Sequence, residues 1–277
     1  MAPSRLRCMF GARVLTSASR VIRGADWAVP LRQAIARSPA DTVAWVTQHT
    51  RLLKSDDYSR VGLLDVQRQL SFVKLYLAKS PMQRLGFRLG FGRGIRSFDA
   101  ARELASLGLS VPAPRTCLLV PEGILLLTEG IADSQDLRAL WLGQPTADQA
   151  AQYMRCAGEA LAALHCAGFA HGDCKWSNLL WNGELFYLVD LEAVRKVGFT
   201  AQSSLPPHPR QLRDLARFTI DAQGSGASQE QYDIFLRSYS AGTNCPRGPL
   251  ASAIGSAAQP IRRRHAKKYG KASRRLQ

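Results

Sequence analysis

Asp173, Asn178 and Asp190 are the residues of this chain whose types and spacing could do chemistry. The run reads His171-Gly-Asp-Cys-Lys-Trp-Ser-Asn178, then an apolar stretch, Asn182-Gly183, a second apolar stretch and the acid. Asn-Gly between two apolar runs is the strongest short-range signal for a tight hairpin, and such a hairpin folds Asp190 back beside Asn178. Three polar groups then meet at one mouth. Phosphoryl transfer needs such a set: a carboxylate to orient and deprotonate an attacking hydroxyl, and oxygen ligands to hold Mg²⁺ on the phosphates. On that reading Asp173 is the base, and Asn178 and Asp190 are the metal ligands. The bland account makes Asp173 and Asn178 turn residues and Asp190 a strand end. The hairpin and the terminal acid together argue against it. Cys174 reads as a packing residue inside the loop rather than a nucleophile.

Elements on both sides must position these groups. Short strands begin at Leu52-Leu53 and resume at Val61 to Leu64, with Asp56 to Ser59 between them. Leu70 to Leu77 alternates as a strand does and carries Lys74 in its middle, where an inward lysine needs a charged partner or ligand. Ser97 to Leu107 has the helical stripe Phe98, Ala101, Leu104 and Leu107, with Gly108 as its stop and Glu103 along it. The Arg- and Gly-rich residues 84–96 read as a flexible connection. Thr116 to Val120 and Ile124 to Thr128 form a hairpin ending in Glu129-Gly130. Thr146-x-x-Gln149 is a capping box, opening a helix with stripe Tyr153, Met154, Ala157, Leu161 and Leu164 that Gly168 ends just before His171. Gln211 to Ile220 is a further helix. Its Asp214 could brace the loop backbone or be a plain surface acid.

An apolar share of 46% and a charged share of 21% are ordinary for a globular protein. No apolar run reaches the roughly 18 residues of a membrane span. Six cysteines without a CxxC pair argue against a zinc site or a disulfide framework and for a reducing compartment. The net charge of +16 sits at the ends: five arginines and no acid in residues 1–25, and eight basic residues and no acid in residues 259–277. The body is nearly neutral. Residues 1–25 read as a cytosolic extension or basic surface helix rather than an import signal, and residues 26–47 are helical in part. The C-terminal residues 262–275 cannot build a core and should be a solvated helix or disordered. Tyr269 is their only aromatic, which argues against a nucleic-acid partner and for an anionic membrane surface.

The order Lys74, Glu103, His171-Gly-Asp173, Asn178 and Asp190 resembles the protein-kinase-like superfamily. His-Gly-Asp, Val189-Asp-Leu-Glu192, Arg51-Leu-Leu-Lys54 and Leu212-Arg-Asp-Leu215 bring it closest to the lipopolysaccharide-core kinases of the Kdo/WaaP family, over residues 50–240. The resemblance implies an α+β fold of two lobes, with a small β-rich N-lobe and a mainly helical C-lobe. The divisions are a basic extension (1–47), N-lobe (48–128), C-lobe (129–250) and basic tail (251–277). It implies transfer of the ATP γ-phosphate, with Mg²⁺, to a sugar hydroxyl of the lipopolysaccharide core, at a cytoplasmic site peripheral to the inner membrane. It pairs Lys74 with Glu103 on the nucleotide phosphates and places Glu129 at the hinge that meets adenine through its backbone. The superfamily's phosphate-covering GxGxxG is missing. Residues 55–62 must serve instead through backbone amides and Ser59 or Arg60, because Gly90, Gly92 and Gly94 follow the lysine. Leu191-Glu192 is a second departure. Two other readings share these motifs: a small-molecule phosphotransferase of the aminoglycoside or choline kinase type, and an inactive kinase-like binding module.

Overall fold

The computed structural model describes residues 19–36, 41–198 and 207–269. The chain opens with β1 (Arg20–Arg23), α1 (Ala25–Ala36) and α2 (Thr42–His49), and then forms β2 (Arg51–Ser55), β3 (Ser59–Val66) and β4 (Gln69–Leu77). Next come α3 (Pro81–Arg88), α4 (Arg93–Ser106), β5 (Pro114–Val120) and β6 (Gly123–Glu129). These build an antiparallel six-stranded sheet in the order β1-β5-β6-β4-β3-β2.

Strand alternation divides β4 between two layers. Val73 and Leu75 face α1 and α2, in a core with Leu31, Ile35, Trp45, Val46, Leu118 and Leu125. Tyr76 faces the other way and packs with Ile95 and Phe98 of α4 and Ile124 and Leu126 of β6. Lys74 shares that second face by parity. It is therefore aimed at the cleft and not at solvent, where most strand lysines point.

The N-terminal residues depart from expectation. From Arg20 onward they are not an extension but part of the lobe: β1 adds an edge strand to β5, and α1 and α2 cover one sheet face. The basic composition hid this, because few apolar positions (Ala28, Leu31, Ile35) suffice to seat a helix on a sheet. Residues 84–96 are also more ordered than a flexible connection. They hold α3, which Ser80 caps, and the first turn of α4. Gly94 lies where a Cβ would stand 2.7 Å from Ile124 and 2.8 Å from Tyr76. Gly94 thus permits close packing of helix on sheet, while a Cβ at Gly92 would meet Phe87 of α3.

The second lobe holds β7 (Gln135–Asp136), α5 (Leu137–Leu142), α6 (Ala147–Cys166), β8 (Phe169–Ala170), β9 (Leu179–Trp181), β10 (Phe186–Leu188), β11 (Arg195–Lys196), α7 (Pro209–Gly224), α8 (Gln229–Thr243) and α9 (Arg247–Tyr269). The capping box of α6 forms as the sequence predicts, with Thr146 and Gln149 each bonded to the other's backbone. Leu161, Leu164, Leu215, Phe218, Phe235 and Tyr239 lie in one large core. The C-terminal helix enters that core through Leu250, Ile254 and Ala258, and Arg262 donates to Gln223 at 2.8 Å. Arg263, Arg264 and Lys267 of α9 are exposed, so the solvated segment starts later than composition suggests. Residues 270–275 of the expected tail lie outside the described residues. Among the described residues no helix is long and apolar enough to cross a membrane.

Candidate active site

The β9–β10 hairpin closes the site as the sequence requires. Leu188 pairs with Leu179, and the Val189 N–H donates to the Asn178 carbonyl at 3.0 Å, so Asp190 emerges beside Asn178. The turn is shifted from the expected one: Asn182 accepts from the N–H groups of Glu184 and Leu185, and Gly183 takes the positive φ of 104°. Asp190 itself is left-handed at φ 59°, a conformation Asp tolerates better than most residues.

The loop from His171 to Asn178 is held from several sides. Buried His171 donates from Nε2 to the Val189 carbonyl at 3.0 Å, which fixes its tautomer and leaves Nδ1 to accept from the Asp173 N–H at 3.4 Å. Burial pushes this imidazole below its ordinary range, so it is a neutral strut. Gly172 has φ 81°, and a Cβ there would lie 2.5 Å from the Ala193 carbonyl oxygen. The Asn178 amide nitrogen donates to the Asp173 carbonyl at 2.8 Å, which leaves its amide oxygen as an acceptor. Burial raises the Cys174 thiol well above its usual range, in keeping with a packing role.

One face of α7 reads this loop. Gln211 donates to the carbonyls of His165 and Phe169. Asp214, fully buried, accepts from the N–H groups of His171 at 2.6 Å and Gly172 at 2.9 Å. Arg217 is ion-paired with Asp173, and Asp221 accepts from the Trp176 N–H at 2.8 Å. The spacings of three and four residues place all of these on one side of the helix. Asp214 is thus the brace and not a surface acid. Arg217 was not singled out in the sequence, although the same periodicity that places Asp214 would have found it.

Across the cleft, Lys74 Nζ lies 2.7 Å from Asp190 Oδ1 and 3.7 Å from Glu192 Oε2, and 4.8 Å from the centre of the Tyr76 ring. The expected Lys74–Glu103 pair does not form. Glu103 lies on the outer side of α4, half exposed, 3.4 Å from Lys196. The residues of α4 that point inward at this level are Ala101 and Leu104. The lysine's carboxylates come instead from Asp190 and, at longer range, Glu192. Arg93 Nη1 lies 3.5 Å from Glu192 Oε1, and Arg96 donates to the Glu192 carbonyl at 3.5 Å. Helix α4 therefore meets the site through arginines.

Two further expected residues are bonded within the protein. Asp56 accepts from the N–H groups of Tyr58 and Ser59, both at 2.8 Å, and from the Ser59 hydroxyl at 3.3 Å. These bonds, with Lys54 beside it, hold its carboxyl below the usual range. Arg60 turns onto the carbonyls of Asp56 and Ser59. The β2–β3 turn is thus satisfied within itself, with Ser59 buried and its hydroxyl bonded to Asp56. Glu129 sits at the expected end of β6, but its N–H donates to Ala113 at 2.8 Å and its carboxylate accepts from the Ala113 N–H at 3.1 Å. Its side chain and N–H are committed to the protein, so only its position at the junction remains for a hinge role.

No cluster of three or more His, Cys, Asp or Glu that could hold a metal occurs among the described residues. A metal at this cleft would draw on the Asn178 amide oxygen, the Asp190 carboxylate and the oxygens of its substrate. The family model of the lipopolysaccharide kinases (Kdo/WaaP) matches residues 43–239. The chain belongs to the Kdo/WaaP lipopolysaccharide kinase family. The Kdo/WaaP chain is thus a kinase, and ATP use follows from that membership. A solved structure, WaaP in complex with acyl carrier protein, shares the fold at a TM-score of 0.59 and 18% identity, covering 90% of this chain and 99% of that one. No curated protein matched. The matched span starts at residue 43, and β1 (Arg20–Arg23), upstream of it, pairs with β5 in the same sheet.

Proposed function

We propose that the protein transfers the γ-phosphate of ATP, with Mg²⁺, to a sugar hydroxyl of the lipopolysaccharide inner core. The observations that support this reading are the Asn178 bond to the Asp173 main chain, the return of Asp190 beside Asn178 and the Lys74–Asp190 ion pair, in a chain of this family. Asp173 takes the acceptor's proton, with its carboxylate aimed by Arg217 and by Lys175 at 2.8 Å. Lys74 holds phosphate oxygens once it leaves Asp190. The Asn178 amide oxygen and Asp190 hold the metal, which supplies charge neutralisation on the phosphates. Two protein oxygens suit Mg²⁺, which keeps water and phosphate oxygens for its other positions. A cation, the Lys74 ammonium, already stands at Asp190 and marks the place as one that attracts positive charge.

Lys175 and Arg217 flank the base on the acceptor side. Two cations there favour an anionic acceptor, such as an acidic or phosphorylated core sugar, over the cationic acceptor of an aminoglycoside-type enzyme. The inactive-module reading loses support because base, metal and lysine positions are all filled. Association with the inner face of the inner membrane belongs to the same proposal, since the acceptor is lipid-linked. The exposed cations Arg263, Arg264 and Lys267 of α9 support it. The test is incubation of purified protein with Mg·ATP and lipopolysaccharide lacking core phosphate. Phosphate should appear on a core sugar, and ATP consumption without it would overturn the acceptor assignment.

A further inference from the structure

Helix α3 is built inside out. A surface helix ordinarily seats its apolar face on the core and shows polar residues to water. Here Phe87 anchors the helix against the cluster of Tyr76, Ile95 and Phe98. The opposite face presents Met82, Leu85 and Leu89, three and four residues apart and exposed by 82%, 56% and 63%. Phe91, just beyond the helix, is 69% exposed. Exposed large apolar residues this concentrated mark an interaction surface.

The charge around them is of one sign. Residues 79–96 contain Lys79, Arg84, Arg88, Arg93 and Arg96 and no acid. Arg93 and Arg96 face the cleft through Glu192, while Arg84 and Arg88 are exposed on α3. Tyr58, 60% exposed, lies beside Lys79, whose Nζ is 5.5 Å from its ring centre. Apolar side chains, an aromatic and cations without an acid are the composition of an element that lies in a membrane interface.

We propose that α3 and the turn after it, residues 79–91, form the surface by which the protein docks on an anionic lipid bilayer. Met82, Leu85, Leu89 and Phe91 enter the headgroup region, and Arg84 and Arg88 bind lipid phosphates. The inference rests on the reading of a lipid-linked acceptor and adds where the enzyme touches the lipid. Helix α3 joins β4, which carries Lys74, to α4, which carries Arg93 and Arg96. Docking there brings the cleft mouth to the membrane plane.

The test is co-sedimentation of the full chain with vesicles of phosphatidylethanolamine and phosphatidylglycerol, and with pure phosphatidylcholine. The protein should partition onto the anionic vesicles. The triple variant Leu85→Ser, Leu89→Ser, Phe91→Ser should lose about tenfold or more in partitioning at unchanged thermal stability, because these side chains already face water. The double variant Arg84→Gln, Arg88→Gln should lose most of the salt-sensitive part. A tryptophan in Leu85→Trp should be quenched by brominated lipid. Equal binding by the triple variant would overturn the proposal. So would absence of wild-type binding, or retention of an acidic protein in place of vesicles. Vesicle binding without ATP turnover would strike the proposed function and leave this surface standing.

Discussion

On the proposed mechanism, Asp173 is the residue on which turnover depends most. Asp173→Asn keeps the shape of the loop and the bond from Asn178, which uses the Asp173 main chain, so the fold should stand. Phosphate transfer should fall on the order of 10²- to 10⁴-fold, read by product formation at saturating Mg·ATP. Lys74 and Glu103 separate two accounts of the phosphate grip. Because Lys74 faces Asp190 and Glu192, Lys74→Ala should weaken nucleotide binding. Glu103→Ala should leave binding and turnover within about twofold of wild type, and calorimetric titration distinguishes the two. Chain order made Glu103 legible as a candidate but could not tell which side of α4 it occupies. The stripe of Ala101 and Leu104 turned inward decides that. His171 carries a pH dependence. Its folded pKa lies below the unfolded value, so its contribution to stability is full above about pH 6.5 and is lost as pH falls through the folded value. Melting temperature against pH should drop on the acid side, and His171→Gln should flatten that part of the curve.

At the scale of elements, α7 sets the loop. Asp214→Ala leaves the N–H groups of His171 and Gly172 buried without partners, at a cost of about 1–3 kcal/mol each. Denaturant titration should show that loss, and turnover should fall with it although Asp214 touches no substrate. The sequence announced the helix and the hairpin through periodicity, caps and Asn182-Gly183, because those signals are local. Arg217, which pairs with Asp173, and Asp214, which holds the 171–172 amides, come from more than 40 residues away, and nothing local names them. The N-terminal elements were masked for a different reason. Their cations dominate the composition, while a few apolar residues do the seating. A chain beginning at residue 48 would lack α1 and α2 and uncover Val73, Leu75, Leu118 and Leu125. At about 1.5–3 kcal/mol per buried aliphatic side chain, these four come to about 6–12 kcal/mol, comparable with the whole margin of an ordinary domain, about 5–15 kcal/mol. Such a chain should show no cooperative melting transition by calorimetry.

For the molecule as a whole, the two lobes meet through apolar packing of Ala101 and Leu104 of α4 on the second-lobe core and, at the cleft, through charge. Lys74 and Arg93 on the first lobe face Asp190 and Glu192 on the second. Without ligand the cleft is therefore neutralised from within. On the proposed roles of Asp190 as metal ligand and Lys74 as phosphate ligand, that arrangement governs how nucleotide and cation are taken up. Asp190 cannot serve the Lys74 ammonium and a divalent cation at full strength together. Once the carboxylate is engaged by a cation, the ammonium is released toward phosphate. Once phosphate engages the ammonium, the carboxylate is bare and attracts the cation. The two occupants are then thermodynamically linked, each raising the affinity of the other by the same factor, typically 5- to 150-fold. Titration of ATP at several Mg²⁺ levels, and of Mg²⁺ at several ATP levels, should return one coupling constant. Lys74→Met should reduce it toward unity by removing the internal competitor. The ion pair across the cleft thus acts as a latch with two keys, and neither alone opens it fully.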